Sequence, residues 1–360
     1  MKLFFYFQDL SGTGPVWLNV FWAHLRAFSE SVTVEQLVAP ATIPGASKSL
    51  AGRVSRYRQA RDHGPKLCEQ VRRSLDPNGP NILIVYALNG EDIRRSALLH
   101  PVWSAFDFTI LSITDACFPD ETKQKHLSRF DRIACFCKDM GDMFEAMSGV
   151  RSIYWPAHTD VLNHHSASEF RPIDLLLVGR RDQGMVAPLH DHFNTPGRDR
   201  LFLDFVTRTQ GTPSVRDEFR LLMSTHQKAA ASLCFEASDR GRYRGCSPLM
   251  GRWVHGWSSG CTILGRRPAG TAVREQMDWP ESALDLPETP ADAIAFVEQV
   301  LSDPVGLARR RRRNVIEALR RHDTRYRLRD LLTDLGVQVP DSLVAGLDSL
   351  ANCATAVSET

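Results

Sequence analysis

Short apolar runs alternate with longer stretches of helical periodicity along most of the chain. In the first half the runs are Lys2–Phe7, Thr33–Val38, Asn81–Ala87, Phe108–Thr114, Arg132–Cys137 and Ser152–Tyr154. They are continuous rather than alternating, as parallel strands buried on both faces should be. Between them, Val16–Ser29, Pro65–Ser74, Gly90–Leu99 and Lys138–Met147 read as helices. This alternation predicts a doubly wound α/β layer ending near residue 160. The polar stretch HTDVLNHHSASEFRP (158–172) has linker character. The pattern then restarts with strands at Ile173–Val178, Leu201–Phe205, Ser232–Phe235 and Thr262–Leu264, and a helix over Arg252–Ser259. Past residue 336 the patterning weakens to one helix and a frayed tail. The expected organisation is a Rossmann-like domain over 1–160, a second over 161–335, and a C-terminal helix or tail over 336–360. Two such domains facing each other make a cleft, and ligands bind at the carboxyl ends of parallel strands.

Composition narrows this picture. A chain of 360 residues is long for a single core, and 43% hydrophobic with 24% charged residues is ordinary for a soluble globular protein. The net charge of +2 implies no polyanionic partner. The apolar stretch in MKLFFYFQDL is too short for a signal peptide or a span, so a cytoplasmic protein is expected. Residues 48–73 carry eight Lys/Arg against two acids. They read either as a solvated insertion or as a peripheral contact with an anionic acceptor or the inner membrane face. The eight cysteines form no CxxC pair and no zinc spacing, which predicts buried free thiols, with Cys135 and Cys137 sharing one strand face. His190 and His192 lack a third metal ligand and read as a surface turn. The five arginines 309–313 spread around a helix, which argues for a solvated face and against nucleic-acid binding.

Three stretches could carry chemistry. In SGTGPVW (11–17), Gly12 and Gly14 permit a tight turn after the first strand. Trp17 stands where a dinucleotide fingerprint needs its third glycine, and no acid ends the second strand, which disfavours NAD. This turn either contacts substrate or simply connects strand to helix. In LLLVGRR (175–181) a strand delivers Gly179, then Arg180 and Arg181, whose forks match phosphate oxygens if they are not merely solvated. In SDRGRYRGCSPLMGR (238–252), Arg240, Arg242, Arg244 and Arg252 approach or open a helix at Gly251. A helix N-terminus suits phosphate, and His255 lies one turn after Arg252 on the same face. Trp253 and Trp257 read as core. No DxD motif is present, so no carboxylate pair is available to hold a metal with a diphosphate.

Residues 80 to 335 resemble the group-1 (family-4-like) glycosyltransferases of the GT-B fold, in particular their spore-maturation-protein-like branch. TDACF (114–118), FDRIACFCKDMGDMF (130–144), YWPAHTDV (154–161), RPIDLLLVGRR (171–181) and GRWVHGWSSGCTILG (251–265) carry the resemblance. It extends through residues 286–332, including His322 and Arg327. The resemblance implies two Rossmann-like domains, a nucleotide-sugar donor held by the second and an acceptor by the first. Where the group has paired glutamates eight residues apart, this chain has Ser247 and His255.

The expected activity is metal-independent transfer of a sugar from a nucleoside diphosphate, of hexosyltransferase type, with retention. It needs no cofactor beyond the donor, and the acceptor is a glycan, a lipid-linked molecule or a small molecule. Arg180, Arg181, Arg252 and Gly251 would hold the diphosphate, and Ser247, His255 and Gly179 the donor sugar or nucleoside. Asp115 and His255 would be catalytic, and Gly12 and Gly14 acceptor-side. The absent glutamates leave open a non-catalytic nucleotide-binding or scaffold protein, and the architecture leaves open a nucleotide-sugar epimerase.

Overall fold

The computed structural model describes residues 1–8, 17–39, 50–115, 117–205, 215–236 and 243–359. The chain divides into two compact units. One comprises the N-terminal strand, Phe28–Trp155 and Leu331–Pro340. The other comprises residues 17–27, Pro156–Asp330 and the chain from Asp341 onward. The boundary between them thus falls at residues 155–156, and the chain re-enters the first unit at Leu331 before returning to the second.

The first unit holds a parallel sheet of β1 (Lys2–Gln8), β2 (Thr33–Ala39), β3 (Asn81–Ala87), β4 (Phe108–Ile113), β5 (Arg132–Cys135) and β6 (Ser152–Tyr154). Its order is β2-β1-β3-β4-β5-β6, so the winding reverses between β1 and β3. Every residue of β3 is buried, which is why it reads as a continuous apolar run after Asn81. The helix expected over Gly90–Leu99 is shorter. It spans Gly90–Arg95, capped by the Asn89 side chain, and passes into a 3-10 segment over Ser96–Ala105. Pro101 lies inside that segment and has no N–H to return to a helical carbonyl. The strand at β5 ends at Cys135, and Cys137 caps the next helix, Lys138–Ser148, instead of sharing the strand face. All eight cysteines are free thiols.

The second unit holds a parallel sheet of β7 (Ile173–Val178), β8 (Phe202–Phe205), β9 (Ala229–Leu233) and β10 (Thr262–Leu264), in the order β10-β9-β7-β8. Both faces are covered. Leu189, Phe193 and Val297 come from the helices Gln183–Phe193 and Pro290–Leu301 and pack with Leu175, Leu177 and Leu233. Phe219, Trp253, Trp257, Val315 and Leu350 form a second apolar layer with Leu176 and Ile263. The two tryptophans are fully buried, as core positions should be. The Trp257 indole donates to the Ser282 carbonyl at 2.7 Å. Among the described residues no helix is long and apolar enough to cross a membrane.

Several sequence expectations are corrected here. The 158–172 stretch does not begin as a linker, because Thr159, Asp160 and Val161 are wholly buried. The Arg325 guanidinium stands 3.1 Å from Asp160 and 3.0 Å from Asp323. The Leu162 amide donates to Asp323 at 2.9 Å, and Thr159 bridges to Asp323 through the backbone. His190 and His192 lie in the last turn of a helix, not a surface turn, and His192 Nε2 meets Glu298 at 2.9 Å. The arginine run lies on the helix Pro304–Arg321, but Arg310 turns inward at 5% exposure to meet Glu281 and Thr262. The C-terminus is not a frayed tail. It is a helix over Asp341–Glu359 that buries Leu343, Leu350 and Ala354. β9 begins at Ala229, three residues before the expected strand, because its small residues do not stand out as an apolar run.

Burial also sets the pH response. Desolvation lowers the His24 and His226 pKa values to about 4 and that of His322 to about 3. Unfolding restores them to about 6.5, so between these limits the unfolded chain binds more protons and stability falls as pH falls. Asp92, raised to about 6 by burial, and Asp323, also raised by burial, oppose this. Urea denaturation should therefore show a loss of at least ~2 kcal/mol between about pH 7 and about pH 5. A flat or rising profile would contradict this account. A second expectation concerns Gly265, which has φ +155 and whose Cβ would stand 2.1 Å from the Cys234 carbonyl oxygen. Gly265→Ala should destabilise the fold by roughly 2–4 kcal/mol, because backbone rather than a pliable side chain occupies the space. A melting temperature equal to the parent's would refute it.

Candidate functional site

In the second sheet the winding reverses between β7 and β9, since β8 lies beyond one of them and β10 beyond the other. The loops leaving these two strands diverge and open a crevice at their carboxyl ends. Residues 179–181 leave β7 there, and residues 234–236 leave β9.

Gly179 has φ +86, a left-handed conformation that favours glycine. A Cβ at that position would stand 4.0 Å from the Arg252 guanidinium, so the end of β7 and the start of the helix Gly251–Ser258 converge. Arg252 Nη1 donates to the Phe235 carbonyl at 3.2 Å, which ties the helix to the end of β9. Arg180 lies over the Tyr243 ring, 4.8 Å from its centroid, and its Nη2 donates to the Tyr243 hydroxyl at 3.0 Å. The Arg180 Nη1 is buried with no hydrogen-bond partner among the described residues. Burial, with Arg180 nearby, lowers the Arg252 pKa to about 10. Two cations are thus held close together at the mouth of a sheet, which favours an anion between them.

The helix adds its own donors. Met250 caps it without a side-chain hydrogen bond, so the first-turn N–H groups are not occupied by a capping side chain. Gly251 leaves the edge of His255 open, because a Cβ there would stand 3.5 Å from Cε1 of the imidazole. His255 is 4% exposed, and its Nε2 is buried without a partner among the described residues. Burial holds its pKa well below the usual histidine range, with His226, His24, His164 and Arg252 adding to the effect. The ring is therefore neutral at neutral pH, able to donate or accept one hydrogen bond.

The remaining expected residues divide sharply. Arg181 turns away to the end of β8 and forms a bidentate pair with Asp204, at 3.0 and 2.6 Å. That hydrogen-bonded pair raises its pKa and commits its fork. Ser247 donates its hydroxyl to Glu236, and its Oγ accepts from the Ala269 amide at 2.9 Å. Arg244 is exposed with φ 49, while Arg240 and Arg242 lie outside the described residues. Gly12 and Gly14, in the segment after β1, also lie outside them. In the first unit Asp115 is half-buried just past the end of β4, and its carbonyl accepts from the Cys117 amide at 2.8 Å. Its charge bears on Tyr86, whose phenol is pushed up to about 12 mainly by burial.

Sequence reasoning missed Tyr243, Phe235 and Glu236. Tyr243 sits inside the arginine-rich stretch, where the charges drew attention, and Glu236 is the acid three residues past the end of β9. An acid at the carboxyl end of a buried strand was the available signal.

No family model matches the sequence, and no curated protein matches it. Solved structures do resemble its fold. Anabaena HepE, crystallised with UDP and glucose, is 11% identical, with 93% of this chain and 99% of that one covered and a TM-score of 0.57. An α-glucosyltransferase bound to UDP-glucose and DNA containing an abasic site is 10% identical over 93% and 99% of the two chains, with a TM-score of 0.58. A UDP-forming trehalose-phosphate synthase from Burkholderia xenovorans is 10% identical over 92% and 98%, with a TM-score of 0.54. At these identities the likeness is one of fold. Two Rossmann-like parallel-sheet units place the chain in the GT-B fold class.

Proposed function

We propose that this chain transfers a sugar from a nucleoside-diphosphate donor to an acceptor, without a metal, and that it belongs with the spore-maturation-protein-like glycosyltransferases. The observation that carries the reading is the convergence of Gly179, Arg180 and Arg252 at the N-terminus of the Gly251 helix, at the switch point of the second sheet. The proteins of similar fold that are crystallised with UDP or UDP-glucose support it.

As the bond from the anomeric carbon to the diphosphate breaks, its electron pair passes to the phosphate oxygen. Arg180, Arg252 and the first N–H groups of the helix would meet that charge in a partly desolvated setting, where fixed donors are most effective. Gly179 and Gly251 let backbone approach the ligand closely. His255, neutral and buried at the foot of the helix, supplies one hydrogen bond to a hydroxyl of the donor. Ser247 lines the donor side, and Asp115 is the acceptor-side base. Transfer with retention fits this reading, with a glycan, lipid-linked or small-molecule acceptor.

A thermal-shift screen of the purified chain with UDP, GDP, ADP, CMP and dTDP, followed by their sugars, tests the assignment. Stabilisation by one nucleoside diphosphate, and transfer from its sugar, are expected; no shift with any of them would overturn it. Arg252→Ala should weaken nucleotide binding by about 1.5–3 kcal/mol, since a charge-assisted bond to phosphate is lost. Arg181→Ala should change it by less than ~0.5 kcal/mol, because that guanidinium is committed to Asp204. Calorimetric titration of the folded variants separates the two. Equal losses would mean that Arg181 meets the donor as Arg252 does.

A further inference from the structure

We propose that the groove along the helix Pro304–Arg321 docks an acidic amphipathic helix of about three turns, supplied by another protein. This surface is separate from the donor site, and neither reading rests on the other.

The groove has a volume of about 580 Å3, and Ser358 of the C-terminal helix completes its lining. Val305, Ala308 and Ile316 form its apolar floor, and Arg309, Arg312 and Arg313 stand along it. Ala308 and Ile316 are half-buried, the three arginines are exposed, and Val305 is 75% exposed. Helical spacing makes these positions one face. At about 100° per residue, Val305, Arg312 and Ile316 fall within about 40° of one another. Ala308 lies on one flank of that line, and Arg309 and Arg313 lie on the other. From Val305 to Ile316 the line runs roughly 16 Å. A single exposed apolar residue needs no partner, but an aligned and recessed set is a recognition feature.

The rim carries an excess of positive charge. Glu281 is shared between Arg309, at 2.8 Å, and Arg310, at 3.1 Å. Glu317 is likewise shared between Arg313, at 3.3 Å, and Arg321, at 2.8 Å. Arg312 has no hydrogen-bond or ion-pair partner among the described residues, and none of those lining the groove is an acid. Each nearby acid thus serves two guanidiniums, and the third rim arginine is left to a carboxylate from outside.

Backbone chemistry selects the form of the partner. The wall is a helix, whose central N–H and C=O groups are bonded internally and cannot pair with a docked chain. An extended segment on the apolar floor would leave its own backbone groups unpaired, whereas a helix arrives with them satisfied. Apolar side chains at i, i+3, i+4 and i+7 would fill the floor, and carboxylates beside that stripe would meet the arginines. A flat anionic membrane would reach the arginine heads but not the recessed Ala308 and Ile316.

The test uses the full chain and a fluorescein-labelled peptide of about four turns, stapled to hold it helical. The peptide has leucine at i, i+3, i+4 and i+7 and glutamate on both sides of that stripe. Fluorescence anisotropy should show saturable binding to the parent that weakens as salt rises. Arg312→Glu should weaken binding by about tenfold or more, and so should Val305→Asp. Both side chains are exposed, so the variants should keep the parent's melting temperature. A peptide with lysine in place of each glutamate should bind Arg312→Glu more tightly than it binds the parent. No binding of the glutamate peptide to the parent would overturn the inference, and so would an affinity unchanged in both variants. Sedimentation with phosphatidylglycerol vesicles that depends on Arg312, without peptide binding, would overturn it in favour of a membrane surface. A parent dimer that Arg312→Glu dissociates in the analytical ultracentrifuge would overturn it in favour of a second copy of this chain.

Discussion

A guanidinium buried between two carboxylates holds the second unit together. Arg325, Asp160 and Asp323 are almost wholly withdrawn from water. Burial opposes the charge of Arg325, and Asp323 and Asp160 outweigh it, so its pKa lies above the ordinary value. The backbone repeats the same join. The Thr159 amide donates to the His322 carbonyl at 3.1 Å, and the Thr324 amide donates to the Thr159 carbonyl at 2.9 Å. A buried ion pair of this kind adds little net stability when complete, but removing one partner costs about 3–5 kcal/mol. It therefore specifies where the segment entering the second sheet must lie. The register of β7, and with it the position of Gly179 and Arg180, is set by its pairing with β8 and β9.

The site depends on a second constraint, the close approach of bare backbone. β9 and β10 run parallel with Leu233 opposite Leu264, and immediately beyond them Gly265 lies against the Cys234 carbonyl. That contact brings together the residues after β9 and the loop that reaches Ser247. Arg252 stands between the end of β7, near Gly179, and the end of β9, where it donates to the Phe235 carbonyl, while Glu236 and Ser247 pair just beyond β9.

The strands were legible in the sequence because parallel strands buried on both faces are largely apolar, and β3, buried at every position, is apolar from Ile82 to Val85. Gly179, Arg180, Arg252 and His255 were legible as well, since glycine after a strand and cations at a helix start follow from local chemistry. What could not be read depends on partners distant in the chain. Arg180 and Arg181 are equivalent in sequence, and only the pairing of β7 with β8 brings Asp204 to one of them. Thr159 and Asp160 look like linker residues until Arg325 is seen beside Asp160. Glu236 accepts from Ser247, which reaches it across residues that share no strand or helix with it.

The helix that offers Arg252 and His255 at the crevice also carries Trp253 and Trp257, both sealed from water. Trp257 stacks on His322 at 5.1 Å and meets Trp279 edge-on at 4.8 Å. A neighbouring imidazole and a second indole make the emission of such a ring sensitive to small displacements. The packing chemistry and the ligand chemistry occupy opposite faces of the same two turns. The packing that fixes Trp257 therefore also fixes where Arg252 and His255 stand, because one short helix carries all of them.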